Sequence, residues 1–258
     1  MQRSSFFYYD KARFGGYPTA EELIELEEAG VRHFVDLTCE GELLITQYTT
    51  KYNYIRYPIV DRSIPHNRKS FSKLILQICE IIINLPESSM IYIHCRGGCG
   101  RSGLVVACII SRLCSVFPYD ALRLTSIYHA NRLVMSSRMR KNGAPQTPGQ
   151  KNFVKEFMGE YRFTTGPFTM SSKHPVFYKD ELFETASLAL QKHPGKLKPI
   201  LRAKLEQHED IKDYLLDNLR SVVYMSRTDT LLGRDSLGRG SNALGIILEN
   251  LRDEMLRL

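Results

Sequence analysis

Residues 90–103 read Met90-Ile91-Tyr92-Ile93-His94-Cys95-Arg96-Gly97-Gly98-Cys99-Gly100-Arg101-Ser102-Gly103. Met90 to His94 is a short apolar run of the length of a buried strand, and the residues through Cys114 resume a helical pattern after the glycines. A strand that passes through a tight glycine loop into a helix N-terminus is a ready place for an anion. Consecutive loop amides turn inward as a nest, and the helix end adds its partial positive charge at the same spot. Glycine permits that backbone path.

Working outward, Val31–Leu37 and Tyr54–Val60 are β-rich runs, and Phe71, Leu74, Ile75, Ile78, Ile81 and Ile82 recur at helical spacing. Before them, Thr19 caps the amide of Glu22 while Glu22 reaches back, and Gly30 suits the helix stop. Further helical patterns fall at 119–130 and 149–160, with a Pro/Gly-containing loop at 138–150. Strands alternating with helices predict an α/β layered domain with a central, mostly parallel sheet.

The chemistry follows from the loop. Cys95 at the mouth of the nest faces a positive potential that favours the thiolate, the competent nucleophile toward phosphorus. Arg101 closes the ring, and its planar guanidinium grips two phosphate oxygens at once, as lysine does not. Arg96, Gly97, Gly98, Cys99 and Gly100 supply the phosphate-binding amides, and Ser102 is placed to donate a hydrogen bond to the thiolate. Phosphoester cleavage also needs a proton donor on a loop over the site. Asp61 ends one β-rich run and opens the loop Asp61-Arg62-Ser63-Ile64-Pro65, so it is preferred to its rival Asp36. The second step needs an oriented water, for which Gln146 and Gln150 are both placed. Cys99 is a candidate resolving thiol for an oxidised Cys95.

Composition narrows the class. The 258 residues are 43% hydrophobic, enough for packed cores, and the formal charge of +7 suits an acidic partner, whether phosphoprotein, nucleic acid or anionic lipid, without choosing among them. The apolar stretch near the motif is far short of a bilayer span, and the N-terminus lacks a signal-peptide core. The six cysteines lack zinc-type CxxC spacing and a secretory context. A soluble protein of the cytoplasm or nucleus, with reduced thiols and no metal or organic cofactor, is expected.

His94-Cys95, five intervening residues and Arg101-Ser102-Gly103 resemble the signature of the protein tyrosine and dual-specificity phosphatases. Tyr57-Pro58-Ile59-Val60-Asp61 with Pro65 resembles the general-acid loop of the small dual-specificity enzymes, and Gly143-Ala144-Pro145-Gln146-Thr147-Pro148-Gly149-Gln150 resembles their glutamine loop. In length and motif layout, residues 1–160 are most similar to the phosphatases associated with cyclin-dependent kinases. The resemblance implies an α/β cysteine-phosphatase fold and a phosphocysteine intermediate. It makes Cys95 the nucleophile, Arg101 the phosphate binder, Asp61 the acid and Gln146 the water-positioner, with His94 and Gln150 in support. No counterpart of the deep phosphotyrosine-recognition loop is present, which implies a shallow site. A phosphorylated protein is the expected substrate, with phosphoinositide and RNA 5′-phosphate also open. The oligomeric state is not legible.

Beyond residue 160, residues 161–175 (YRFTTGPFTMSSKHP) read as a linker and 176–258 as a small, mostly helical domain, with helical periodicity at Leu197–Leu219 and Ala243–Leu256. Arg202-Ala203-Lys204-Leu205-Glu206-Gln207 with Leu215-Leu216 resembles a helix of the NADAR or YbiA-like N-glycosidases. Thr228-Asp229-Thr230-Leu231-Leu232-Gly233, Asn242-Ala243-Leu244-Gly245 and Leu251-Arg252 resemble that family's C-terminal motif. Its tryptophan is Leu232 here, and its glutamate-histidine element has no match. The alternative function implied is phosphate or ADP-ribose binding through this domain, with the glycines of 233–245 as a cradle.

Overall fold

The computed structural model describes residues 2–43 and 45–258, and the chain divides into two compact units, 1–67 with 74–159 and 68–73 with 160–258. In the first unit a five-stranded sheet runs in the order β1 (Ser4–Tyr8), β2 (Ala12–Gly15), β5 (Met90–His94), β3 (Val31–Asp36), β4 (Asn53–Arg56). Only the β1–β2 pair is antiparallel. β5 lies between β2 and β3, and all five of its residues are buried, as its unbroken apolar run requires of a strand covered on both faces.

The helices are α1 (Ala20–Glu28), α2 (Arg68–Asn84), α3 (Gly100–Leu113), α4 (Pro118–Ala130), α5 (Ser137–Asn142) and α6 (Pro148–Phe157). α1 begins on the expected capping box of Thr19 and Glu22, and Gly30 follows its end at φ 104°, a left-handed turn that a glycine takes without a Cβ penalty. The region 138–150 is not one loop. Ser136 caps the amide of Met139 to start α5, and a second capping box, Thr147 with Gln150, starts α6. The strand at 54–60 is shorter than its β-rich run. Beyond Arg56 the chain stays extended beside β3, with Tyr57 N–H donating to Asp36 O (2.9 Å) and Ile59 N–H to Leu37 O (3.1 Å). That extension carries Asp61 past the C-terminal end of the parallel strands, the end at which β5 opens into the glycine loop.

In the second unit β6 (Glu160–Phe163) pairs in parallel with β9 (Ser221–Tyr224), and β7 (Val176–Tyr178) forms a hairpin with β8 (Glu181–Phe183). Four helices, α7 (Ala186–Lys192), α8 (Leu197–Gln207), α9 (Glu209–Leu216) and α10 (Ala243–Arg257), complete it. Residues 161–175 are therefore not a linker. β6 is hydrogen-bonded into a sheet, and Phe163 and Phe168 lie in a buried core with Leu201, Leu205, Ile211, Leu244 and Leu248. Lys204, buried on α8, donates to the carbonyls of Pro167 and Thr169 and to Ser172 Oγ, which fixes the glycine- and serine-rich part of the segment. Burial lowers that ammonium to about 8. No helix among the described residues is long and apolar enough to cross a membrane.

Candidate active site

The loop after β5 is shaped by where its carbonyls go. Arg96 O accepts from Tyr17 N–H (3.1 Å), Gly97 O from the Cys99 thiol (3.4 Å) and Gly98 O from Arg132 Nη2 (2.9 Å). With the carbonyls tied back, the amides of residues 96–101 take no acceptor among the described residues, the arrangement of an anion nest at a helix N-terminus. Gly98 sits at φ 72°, and a Cβ there would run into the backbone of Gly15 and Gly16. Only glycine lets the loop lie this close to the end of β2.

Arg132, at the end of α4, is buried and missed by the sequence reading. Its Nη2 also donates to Phe14 O (3.1 Å), and the guanidinium lies over the Phe14 ring. Beside it the Cys99 thiol lies 3.1 Å from His129 Nε2. Burial raises the Cys99 thiol to about 11, and burial with the Arg132 charge lowers His129 to about 4. Cys99 is thus a protonated thiol at neutral pH.

Cys95, Arg96, Gly97, Cys99, Gly100, Asp61 and Gln146 share one cavity of about 310 Å³. Arg101 is 1% exposed, and its guanidinium is held on several sides. Nη1 and Nη2 fork onto the two carboxylate oxygens of Glu42, Nη1 also reaches Ile59 O (3.0 Å), and Nη2 reaches Asp61 Oδ1 (3.1 Å). Its Nε has no partner among the described residues. Burial opposes the charge on Arg101, but Glu42 with Cys95 and Asp61 raises its pKa above the ordinary value. In return, Arg101 holds Glu42 below the usual carboxylate range against the pull of burial. Glu42, further fixed by Cys39 N–H (2.8 Å), is the second residue that sequence reading missed. Nothing in its local pattern separates it from a solvated loop acid.

Asp61 spans two cations, with Oδ1 on Arg101 and Oδ2 3.3 Å from Arg96 Nη2. Its rival Asp36 lies outside the cavity. It is buried, accepts from Thr38 N–H (2.8 Å), Thr38 Oγ1 (2.7 Å) and Tyr54 OH (2.5 Å), and ties down the turn after β3. His94 is fully buried, its Nε2 2.6 Å from Tyr48 OH, and burial lowers it to about 4, so it is a neutral support for the loop. Ser102 is fully buried, and its hydroxyl is unpartnered among the described residues, so the expected hydrogen bond to Cys95 is not made. The two glutamines separate. Gln146 lines the cavity, whereas Gln150 is buried behind it. Gln150 Oε1 accepts from Thr147 N–H (3.1 Å), and Nε2 donates to Ser63 O (3.0 Å), which staples the loop after Asp61 to the start of α6.

In the second unit the glycine cradle expected at 233–245 is filled by the chain itself. The first amides of α10, those of Ala243 and Leu244, donate to Leu231 O and Leu232 O, and a Cβ at Gly245 would meet Val222 O.

Comparison with known proteins bears on this arrangement. A family model described as "Polymorphic toxin system, DSP-PTPase phosphatase" matches residues 11–114. The chain is 34% identical over 239 residues to "Putative tyrosine phosphatase 067L" of Invertebrate iridescent virus 3, spanning 90% of this chain and 98% of that protein. The chain belongs to the tyrosine and dual-specificity phosphatase family. It is a cysteine-dependent phosphatase. A second relative, "Putative tyrosine phosphatase 197R" of Invertebrate iridescent virus 6, is 34% identical over 224 residues, 80% of this chain and 79% of that one. Matches of 239 and 224 residues are longer than the first unit, so the phosphatase shares with these viral proteins part of its second unit too. Among solved structures, a kinase associated phosphatase with its catalytic cysteine replaced by serine aligns at 22% identity and a TM-score of 0.44, over 57% of this chain and 84% of that one.

Proposed function

We propose that this phosphatase hydrolyses phosphate monoesters of phosphorylated proteins by the following residue roles. Cys95 Sγ attacks phosphorus, a P–S bond forms, and the P–O bond to the leaving oxygen breaks as Asp61 delivers its proton there. Water oriented by Gln146 then attacks the phosphocysteine, passes a proton to Asp61, and the P–S bond breaks to return the thiolate. The inward amides and Arg101, through Nε and an Nη2 that Asp61 releases when substrate arrives, take up the charge on the equatorial oxygens. The observation that carries the reading is the meeting of Cys95, Asp61 and Gln146 in one cavity, with Arg101 oriented by Glu42 and bonded to Asp61. The names of the viral relatives, both tyrosine phosphatases, support a phosphoprotein substrate.

The test is hydrolysis of para-nitrophenyl phosphate by the purified, reduced protein. Turnover that vanishes in Cys95→Ser and falls at least about 100-fold in Asp61→Ala and Arg101→Lys is expected. Full activity of Cys95→Ser would overturn the assignment.

A further inference from the structure

The loop between β9 and α10, residues 225–242, turns its acids and its bases in opposite directions. Both acids are folded back onto the loop's own backbone. Asp229 Oδ1 accepts from the amides of Leu231 (3.1 Å) and Leu232 (2.8 Å), and Asp235 Oδ1 from those of Leu237 and Arg239 (both 2.9 Å). The Asp235 side chain is 14% exposed, whereas Arg239, which bonds to it through Nε alone, is 74% exposed. Arg227 and Arg234 are exposed as well, and beside them Leu231 is 70% and Leu237 75% exposed. One exposed leucine calls for no explanation. Here two leucines and three arginines face water from a single loop whose carboxylates are already occupied. The loop is also held in shape. Thr230 O accepts from Ser241 N–H (2.8 Å) and Leu231 O from Ala243 N–H (3.1 Å), which lace the stretch carrying Leu231 to the start of α10. Asp235 N–H donates to Arg239 O (2.9 Å) and closes the turn that carries Leu237. Asn242, buried, bonds through its side chain to Tyr224 N–H (3.0 Å) and Val222 O (2.8 Å) and so ties the whole loop to β9.

We propose that this loop docks the second unit on an anionic lipid surface, with Leu231 and Leu237 entering the boundary between headgroups and acyl chains and Arg227, Arg234 and Arg239 meeting the lipid phosphates. A guanidinium on its long stem lies beside an inserted leucine and keeps its charge among the headgroups. Charge complementarity selects this occupant. With both carboxylates held by amides, the face on offer is cationic and apolar together. A polyanion such as RNA would use the arginines but gain nothing from aliphatic side chains, since it is bound by cations and aromatic stacking. Because the loop is already ordered, docking does not have to meet the entropic cost of arranging it. Two leucines and three arginines are fewer contacts than a permanent anchor makes, so the binding is reversible and falls with salt.

The experiment sediments the full chain with vesicles of phosphatidylcholine alone and of phosphatidylcholine with about 30% phosphatidylserine. Binding at least about tenfold tighter to the anionic vesicles, and lost at high salt, is expected. Leu231→Ser with Leu237→Ser weakens it at least about tenfold, and Arg227→Gln about fivefold. Turnover of para-nitrophenyl phosphate stays at the wild-type level in both variants, which shows that they are folded. The chain contains no tryptophan, so Leu237→Trp reports on that turn alone. Its emission shifts to the blue, and is quenched by lipids brominated in their acyl chains, with the anionic vesicles only. Wild-type chain that stays in the supernatant, or binds both vesicles equally, would overturn the proposal. So would an unshifted tryptophan emission on vesicles that bind the protein. Binding that falls in Arg227→Gln but not in the leucine variant would describe a plain polyanion surface, and it too would overturn the lipid assignment.

Discussion

Replacing Glu42 by glutamine tests whether Arg101 is held in place from outside the glycine loop. The carboxylate receives both Nη groups of a guanidinium that is 1% exposed. In Glu42→Gln one oxygen still accepts, but an NH2 group faces the other N–H, so one charge-assisted bond worth about 1.5–3 kcal/mol is lost and the charge partner with it. Breaking a buried pair outright costs about 3–5 kcal/mol. Asp61, still 3.1 Å from Nη2, retains part of that, which leaves a destabilisation of about 2–4 kcal/mol. For a chain of this size the loss corresponds to a Tm lower by about 5–15 °C. Arg101, now balanced by Asp61 alone, is pulled toward the acid and away from the phosphate. A loss of about 2–3 kcal/mol at the transition state lowers kcat/KM about 30- to 150-fold. The assay is para-nitrophenyl phosphate hydrolysis beside a thermal melt, in wild-type and Arg101→Lys backgrounds. Because Glu42 acts through Arg101, its substitution is nearly silent in the second background. Wild-type kcat/KM in Glu42→Gln, or the same loss in both backgrounds, would refute the reasoning.

Other outcomes follow from the same contacts. Gly98→Ala, whose Cβ would enter the backbone of Gly15 and Gly16 at φ 72°, should keep a folded circular-dichroism spectrum while losing more than about 100-fold in kcat/KM and its inhibition by inorganic phosphate; wild-type activity would count against a loop set by that packing. Phe168→Ala, in a segment that composition alone assigns to a linker, should lower stability by about 3–5 kcal/mol in urea unfolding; no change would restore the linker reading. His94 and His129 are held at about 4 in the folded chain against 6.5 unfolded, so only the unfolded state takes up their protons as pH falls below 6.5. Stability present at neutral pH is therefore lost on acidification, by about 2 kcal/mol for each histidine at pH 5. Urea titrations at pH 7 and 5 check this, with His129→Gln expected to lose correspondingly less, and a flat profile would contradict it.

The parts of the molecule legible in the sequence are those whose signal is local. β5, the glycine loop and α3 follow one another within 24 residues, and each carries its own periodicity or glycine pattern. Asp61 was legible because a β-rich run ends at it, although hydrogen bonding along β3 past Arg56, not a longer β4, is what carries it to the site. The two glutamines were separable in principle, because Thr147-Pro148-Gly149-Gln150 carries the same capping-box pattern as Thr19 with Glu22 and so commits Gln150, not Gln146, to a helix start. Glu42 and Arg132 left no local trace, because each acts across the fold on a loop far away in sequence. The residues at 161–175 misled because glycine, proline and serine there resemble a spacer, while the decisive residues are Phe163 and Phe168 and the buried amine of Lys204 that gathers the carbonyls of Pro167 and Thr169.

The outer hold on the glycine loop also has a consequence in time. Arg132 reaches back 34 residues to Gly98 and 118 residues to Phe14, and the staple from Gln150 to Ser63 spans 87. A nascent chain that has exposed Cys95, Arg101 and Asp61 already holds every reacting group, yet the Gly98 carbonyl at the crown of its loop is not anchored until Arg132, just past α4, emerges. Catalytic competence is thus expected to appear late and abruptly during synthesis, since closing such long loops comes before the contacts that reward it. A half-made chain is thereby kept from acting on the phosphates around it.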